Sequence, residues 1–220
     1  MDESVIKKEP LGNGFFINVS KHHTFGTDAV LLADFANAKK ADRLVDLGTG
    51  CGIIPFLMLR DGNLKTAVGV DISTEAIRLA AKTAEENGAY RFTALNADLN
   101  DLKGRVEFGC HTLITCNPPY KAPGAGLKNP DGVCAAARHE VACTLSDIIS
   151  VSARLLQTSG RLCMCQRPER LAEIMAVKRG KKLEPKSLRL GFQKKGGEAG
   201  RGLVEGRKGG KNGGRAEAPA

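Results

Sequence analysis

Four short apolar runs in the first half of the chain each end in an acid or an amide. Arg43-Leu44-Val45 leads into Asp46, Thr66 to Val70 into Asp71, Phe92 to Asn96 into Ala97-Asp98, and Leu113 to Cys116 into Asn117. Between them lie stretches with helical spacing, about Ile53 to Arg60 and then Thr74 to Glu86. Pro55 sits in the first turn of one, while Ser73 caps the other and Asn87-Gly88 ends it. Such alternation predicts a largely parallel sheet with helices on both faces. In such a sheet, the carboxyl ends of the strands border the crevice where ligands sit. One Asp there is explained equally well as the cap of the next helix. Four polar residues after four successive strands are better explained by a ligand.

The loop after the first of these strands reads Asp46-Leu47-Gly48-Thr49-Gly50-Cys51-Gly52. Glycines let a backbone turn sharply and approach a ligand closely. A dinucleotide fingerprint needs a further Gly or Ala three residues after Gly50, and this chain has Ile53. Asp71, at the end of the second strand, is placed to accept hydrogen bonds from both hydroxyls of a ribose. Asp46, Gly48, Gly50 and Asp71 are therefore candidate nucleoside-binding residues. A second constellation is Asn117-Pro118-Pro119-Tyr120. The prolines fix the backbone, so the Asn117 side-chain oxygen and the Pro118 carbonyl can converge on one NH2 group. Tyr120 offers a ring on which a base can stack.

With 220 residues, the chain suits one α/β domain. We divide it into a loose N-terminus (1–13), a single domain (14–205) and a basic, Gly-rich tail (206–220). Within the domain we expect a strand at Phe15–Val19 and a helix to Ala36 that Thr27 or Asp28 caps. Asn100–Gly104 allows only a short third helix. Lys121–Ala137 is a long Gly/Pro/Lys-rich loop, of the kind that is functional or disordered in a compact domain. Further on we expect a helix from Ser146 to Leu156, a strand over Arg161–Cys165 and a helix from Pro168 to about Arg179. Leu183–Phe192 and Leu203–Glu205 read as an antiparallel closing pair, the second weakened by Gly200 and Gly202.

No run approaches the ~20 apolar residues of a membrane span, and the polar start lacks the apolar core of a signal peptide. The seven cysteines are scattered without a C-x2-C pair, so neither zinc nor a disulfide framework is expected. Free thiols in a reducing cytoplasm account for them. From Lys178 onward there are 13 basic and 4 acidic residues, which is the entire net charge of +9. A basic end of this kind suits phosphates or a solvated tail.

The Gly-x-Gly-x-Gly loop after an acid resembles motif I of class I S-adenosylmethionine-dependent methyltransferases. Taken with Phe25-Gly26-Thr27-Asp28-Ala29-Val30-Leu31-Leu32-Ala33 and Asn117-Pro118-Pro119-Tyr120, the chain resembles the bacterial tRNA(Val) adenine N6-methyltransferases, from about Gly14 to Lys211. Arg138-His139-Glu140, Cys143-Thr144-Leu145 and Arg167-Pro168-Glu169-Arg170-Leu171 are similar to a Gram-positive-type branch of that group. The resemblance implies a Rossmann-like class I methyltransferase fold, with a mostly parallel seven-stranded sheet and an antiparallel closing strand. It implies S-adenosyl-L-methionine as cofactor, held by Thr27, Asp46, Gly48, Gly50, Asp71, Asp98 and Asn117. It also implies catalysis by Asn117, Pro118 and Tyr120 on an adenine of a tRNA substrate, next to the anticodon. That displacement rests on alignment and requires no metal, and the base must be unpaired or flipped.

The tetrapeptide defines a planar amine rather than its owner, so two alternatives within methyl transfer stand: guanine N2 of rRNA and glutamine N5 of a protein. Against glutamine, no helical domain precedes the glycine loop, and the basic end suits RNA. A non-catalytic RNA-binding protein that keeps the fold is the third. His22-His23 and Arg138-His139-Glu140 are read either as contacts to RNA or cofactor or as loop anchors. The sequence does not specify oligomeric state.

Overall fold

The computed structural model describes residues 5–118, 143–192 and 197–220. Lys121–Ala137, Arg138-His139-Glu140, Cys134, Tyr120 and the pair Lys194-Lys195 lie outside them. Among the described residues the chain first forms an antiparallel pair, β1 (Lys7–Gly12) and β2 (Phe15–Val19). It then alternates α1 (Thr27–Ala36), β3 (Arg43–Leu47), α2 (Ile53–Arg60), β4 (Thr66–Asp71), α3 (Thr74–Glu86), β5 (Phe92–Asn96) and β6 (His111–Cys116). There follow α4 (Leu145–Leu155), β7 (Leu156–Gln166), a 3-10 turn at Pro168–Arg170, α5 (Leu171–Gly180), β8 (Leu183–Phe192), β9 (Ala199–Lys208) and β10 (Arg215–Ala216).

The large sheet has the order β5-β4-β3-β6-β7-β9-β8-β10. Strands β3 to β7 run parallel, and β9 runs antiparallel between β7 and β8. The chain leaves β3 outward to β5 and then returns to β6 on the other side. This reversal opens a crevice at the carboxyl edge between β3 and β6. Successive strand residues point to opposite faces. Leu44 and Val45, Leu113 and Ile114, Cys163 and Met164, and Leu203 and Val204 are all buried, and each pair is divided between two cores. One core holds α1, α2, α3 and β2; the other holds α4 and α5.

Several expectations need correction. Residues 7–12 are not loose: they pair with β2, and the hairpin lies along α3, where Asn18 N and Nδ2 donate to Thr83 Oγ1 at 2.9 and 3.2 Å. The buried face of α3 is accordingly Ala76, Leu79, Ala80 and Thr83. No helix forms over Asn100–Gly104, because Asp98 Oδ1 accepts from Asn100 N (2.8 Å) and Gly104 takes φ +77°. The α1 cap is Gly26, with Thr27 and Asp28 already in the first turn. Thr144 does cap α4, in a reciprocal capping box with Asp147.

Strand β9 is longer than expected because its glycines receive α5. A Cβ at Gly202 would lie 2.7 Å from Leu171 Cδ2, and one at Gly206 would lie 3.0 Å from Lys178 Cδ. Nor are residues 206–220 a free tail. They complete β9 and add β10 to the edge of β8, where Glu217 N donates to Leu188 O (2.8 Å) and Ala220 N to Leu190 O (3.0 Å). Among the described residues β10 brings the sheet to eight strands, one more than expected.

No disulfide joins the described cysteines; Cys51, Cys116, Cys163 and Cys165 are buried. Burial pushes the Cys51 and Cys163 thiols up to about 12. No described helix is long and apolar enough to cross a membrane.

Candidate functional site

The carboxyl edge of the sheet gathers most of the polar residues singled out from the sequence. Asp46 pairs in register with Gly69, Asp71 with Asn96, and Leu47 with Cys116. Asp98, Asp71, Asp46 and Asn117 therefore stand at or just beyond the ends of adjacent strands, in the spatial order β5, β4, β3, β6. Gly48 and Asn117 each follow directly on the paired Leu47 and Cys116, and Asn117 and Pro118 are both half-buried.

Between β3 and α2 the chain turns through Gly48, Gly50 and Gly52, whose φ angles are +73°, +55° and +90°. These are left-handed conformations that a side chain rarely adopts. The loop leans on β4: Gly48 N and Thr49 N donate to Val70 O at 2.9 and 3.0 Å, and Gly50 N donates to Asp71 Oδ2 at 2.8 Å. Ser73 N donates to the other oxygen, Asp71 Oδ1, at 2.9 Å. Two donors thus fix the carboxylate, and each oxygen keeps capacity to accept another hydrogen bond.

Asp46 is 1% exposed. Its Oδ1 accepts from Thr115 Oγ1 at 2.7 Å, while Oδ2 has no partner among the described residues. Burial raises its pKa to about 6; the Thr115 and Thr49 hydroxyls oppose the rise and Asp71 adds to it. A buried carboxylate oxygen without a donor is costly unless a ligand supplies one. A cationic ligand group beside the glycine loop fits this place. That is the chemistry of S-adenosylmethionine, whose sulfonium and amino groups are both positive.

The remaining candidates are placed less directly. Asp98 closes its own turn onto Asn100 with Oδ1. Thr27 is exposed, and its neighbour Asp28 lies 3.9 Å from Arg201 near the start of β9. Tyr120 lies outside the described residues.

Sequence reasoning missed four supports. Thr115 orients Asp46, and Asn96 Nδ2 donates to Asp71 O and Ile72 O at 3.0 and 2.9 Å, which sets the turn after β4. Ile72, directly after Asp71, is 40% exposed and leaves an apolar side chain at this edge of the sheet; an apolar residue directly after the second strand's acid was the available signal. Ser73, read only as a cap, also fixes Asp71.

Comparison with known proteins agrees with this arrangement. A tRNA1(Val) (adenine(37)-N6)-methyltransferase of a Flavobacteriaceae bacterium is 30% identical over 140 residues, which is 63% of this chain and 57% of that protein. A protein of the same description from Parabacteroides distasonis is 30% identical over 161 residues, covering 73% and 66%. The chain spans roughly three fifths of the length of such curated relatives. Among solved structures, a predicted O-methyltransferase from Agrobacterium tumefaciens superposes with a TM-score of 0.68 at 23% identity, covering 87% of this chain and 86% of that one. The geranyl diphosphate C-methyltransferase of Streptomyces coelicolor, in complex with Mg2+, geranyl diphosphate and S-adenosyl-L-homocysteine, superposes with a TM-score of 0.61 at 15% identity, covering 83% and 80%. Both share the fold. A family model described as methyltransferase small domain matches residues 19–176. That match covers most of the chain, and the chain belongs to the methyltransferase small domain family.

Proposed function

We propose that this protein transfers a methyl group from S-adenosylmethionine to the exocyclic N6 of an adenine in tRNA, in the cytoplasm, with a valine tRNA as substrate and the adenine next to its anticodon as the target. The observation that carries this reading is that Asn117-Pro118 and Gly48 each follow directly on the paired Cys116 and Leu47, at the end of the sheet where the buried Asp46 oxygen lacks a donor. The printed names of the similar proteins support the choice of adenine and tRNA.

When bound, S-adenosylmethionine supplies a methyl group on a positively charged sulfur. Asp46 balances positive charge at the root of the glycine loop, and Asp71 accepts from ribose hydroxyls with the capacity that Gly50 and Ser73 leave free. Ile72 would offer an apolar surface to the nucleoside base, and Asp98 would be available to its polar edge. Adenine's amino nitrogen is a weak nucleophile because its lone pair is delocalised into the ring. The Asn117 side-chain oxygen and the Pro118 carbonyl each accept one of its N–H bonds, which fixes the amine at the mouth of the loop. Alignment of this kind, rather than acid–base chemistry, provides the acceleration. Tyr120 stacks on the base, worth about 1–3 kcal/mol.

The test is incubation of the protein with radiolabelled S-adenosylmethionine and unmodified tRNA, followed by identification of the labelled nucleoside. N6-methyladenosine in valine tRNA is the expected product. Label as N2-methylguanosine in rRNA, or on a protein glutamine, would transfer the reading to another planar amine. Asn117→Ala should keep donor binding and lower turnover by orders of magnitude; turnover at the wild-type rate would overturn the amine clamp.

A further inference from the structure

The segment between β2 and α1 carries His22-His23, and the structure gives the second of these a specific place. The segment starts with a reciprocal turn, in which Ser20 N donates to His23 O and His23 N to Ser20 O, both at 3.2 Å. That turn is bound to α3 by side chains at two points. Ser20 Oγ donates to Glu75 Oε1 at 2.7 Å, and His23 Nε2 lies 3.1 Å from Ser73 Oγ and 3.7 Å from Glu75 Oε2. The His23 side chain is only 22% exposed, although it stands in a loop.

Ser73 is the residue whose backbone N–H fixes Asp71 Oδ1, and the other oxygen of Asp71 is fixed by Gly50 of the glycine loop. A continuous hydrogen-bonded path therefore runs from the N-terminal hairpin through His23, Ser73 and Asp71 to Gly50. At its far end the same segment runs on through Phe25 and Gly26 into the first turn of α1.

We propose that His23 is a positioning residue for methyl-donor binding: it fastens the Ser20–Gly26 segment to the first turn of α3 and so holds Asp71 in the orientation that receives the donor's ribose. The inference rests on the proposed methyl-donor site. His23 touches neither donor nor substrate; it acts through Ser73. Because the path sets ligand geometry rather than chemistry, its loss weakens donor binding and leaves turnover at saturation close to that of the wild type.

The experiment measures the affinity of the whole protein for S-adenosylhomocysteine by calorimetry, with Asp71→Ala as the control for the site. Losing one hydrogen-bonded support, His23→Ala should weaken binding about three- to tenfold, raise the KM for S-adenosylmethionine in proportion and leave kcat nearly unchanged. His23→Gln, whose amide reaches the same distance as Nε2, should restore most of the affinity, and His23→Phe should not. The apoprotein melting temperature separates this role from a structural one. A lower melting temperature with wild-type affinity makes His23 a scaffold residue and overturns the proposal, as does failure of His23→Gln to rescue a weakened site. If the wild type binds the nucleoside and Asp71→Ala does not, equal affinity in His23→Ala overturns this inference alone. If the wild type does not bind it, the donor reading fails and takes this inference with it.

Discussion

At Asp46 the cost of a buried charge and the proposed binding of a cationic donor oppose each other in a single carboxyl group. Its folded pKa of about 6 lies above the ordinary 3.8, so between those values the folded state holds a proton that the unfolded state has released. This contribution to stability is present at low pH and is lost as pH rises toward 6. Near neutrality the buried charge costs about 1–3 kcal/mol. Asp46→Asn, which keeps the acceptor for Thr115, should therefore raise the melting temperature at pH 7.5 and abolish S-adenosylhomocysteine binding in calorimetry. Lys178 presents the opposite sign. It is fully buried, its Nζ donates to Leu162 O and Val204 O at 3.1 and 2.8 Å, and burial lowers its pKa from 10.5 to about 8. Between pH 8 and 10.5 the unfolded state binds the extra proton, so folding stability should rise with pH across that window. Urea unfolding at stepped pH checks this, and Lys178→Met should remove the rise.

At the scale of elements, strands and helices from β3 to β5 could be read from the sequence because local signals agree there with the fold. The short apolar runs, the Ser73 cap and the Asn87-Gly88 stop all point to the same boundaries. The misreadings share a different cause. Lys7–Gly12 has no apolar alternation, and it is a strand because β2 offers it a backbone edge. Thr83 is polar and reads as solvent-facing, yet it is fully buried because Asn18 saturates its hydroxyl from two donors. Gly202 and Gly206 read as strand-weakening, and they are the spaces into which Leu171 and Lys178 fit. The candidate site follows the same rule: the acids were visible as residues, but Thr115 and Asn96 meet Asp46 and Asp71 only from neighbouring strands, and His23 reaches Asp71 only through Ser73. Thr83→Val, which keeps the shape and strands two buried donors, should cost about 1–3 kcal/mol, read as a lower urea midpoint. Wild-type stability in that variant would show that the hairpin is only loosely laid on α3.

For the whole molecule, the distribution of charge matters more than its sum. Much of the basic excess after Lys178 is already engaged: Arg179 faces Glu184, Arg189 faces Asp34 and Glu217, and Arg207 faces Glu205. Lys181 and Lys182 are exposed in the turn between α5 and β8. If tRNA phosphates reach that turn, Lys181→Glu with Lys182→Glu should weaken tRNA binding, lower its salt slope by about 2 and leave S-adenosylhomocysteine affinity unchanged. A filter-binding series in salt checks all but the last, and an unchanged slope would place the RNA elsewhere.

The antiparallel strand set between β7 and β8 also imposes an order of assembly. β8 precedes β9 in the chain, yet it meets the parallel sheet only through β9. During synthesis a finished β8 must wait for a strand not yet made, while the outer side of β7 stays open. Everything from Leu183 onward should then join in one late cooperative step. A chain released before Ala199 would keep the ligand edge of β3, β4 and β6 and expose two unpaired strand edges, which makes its foremost hazard self-association.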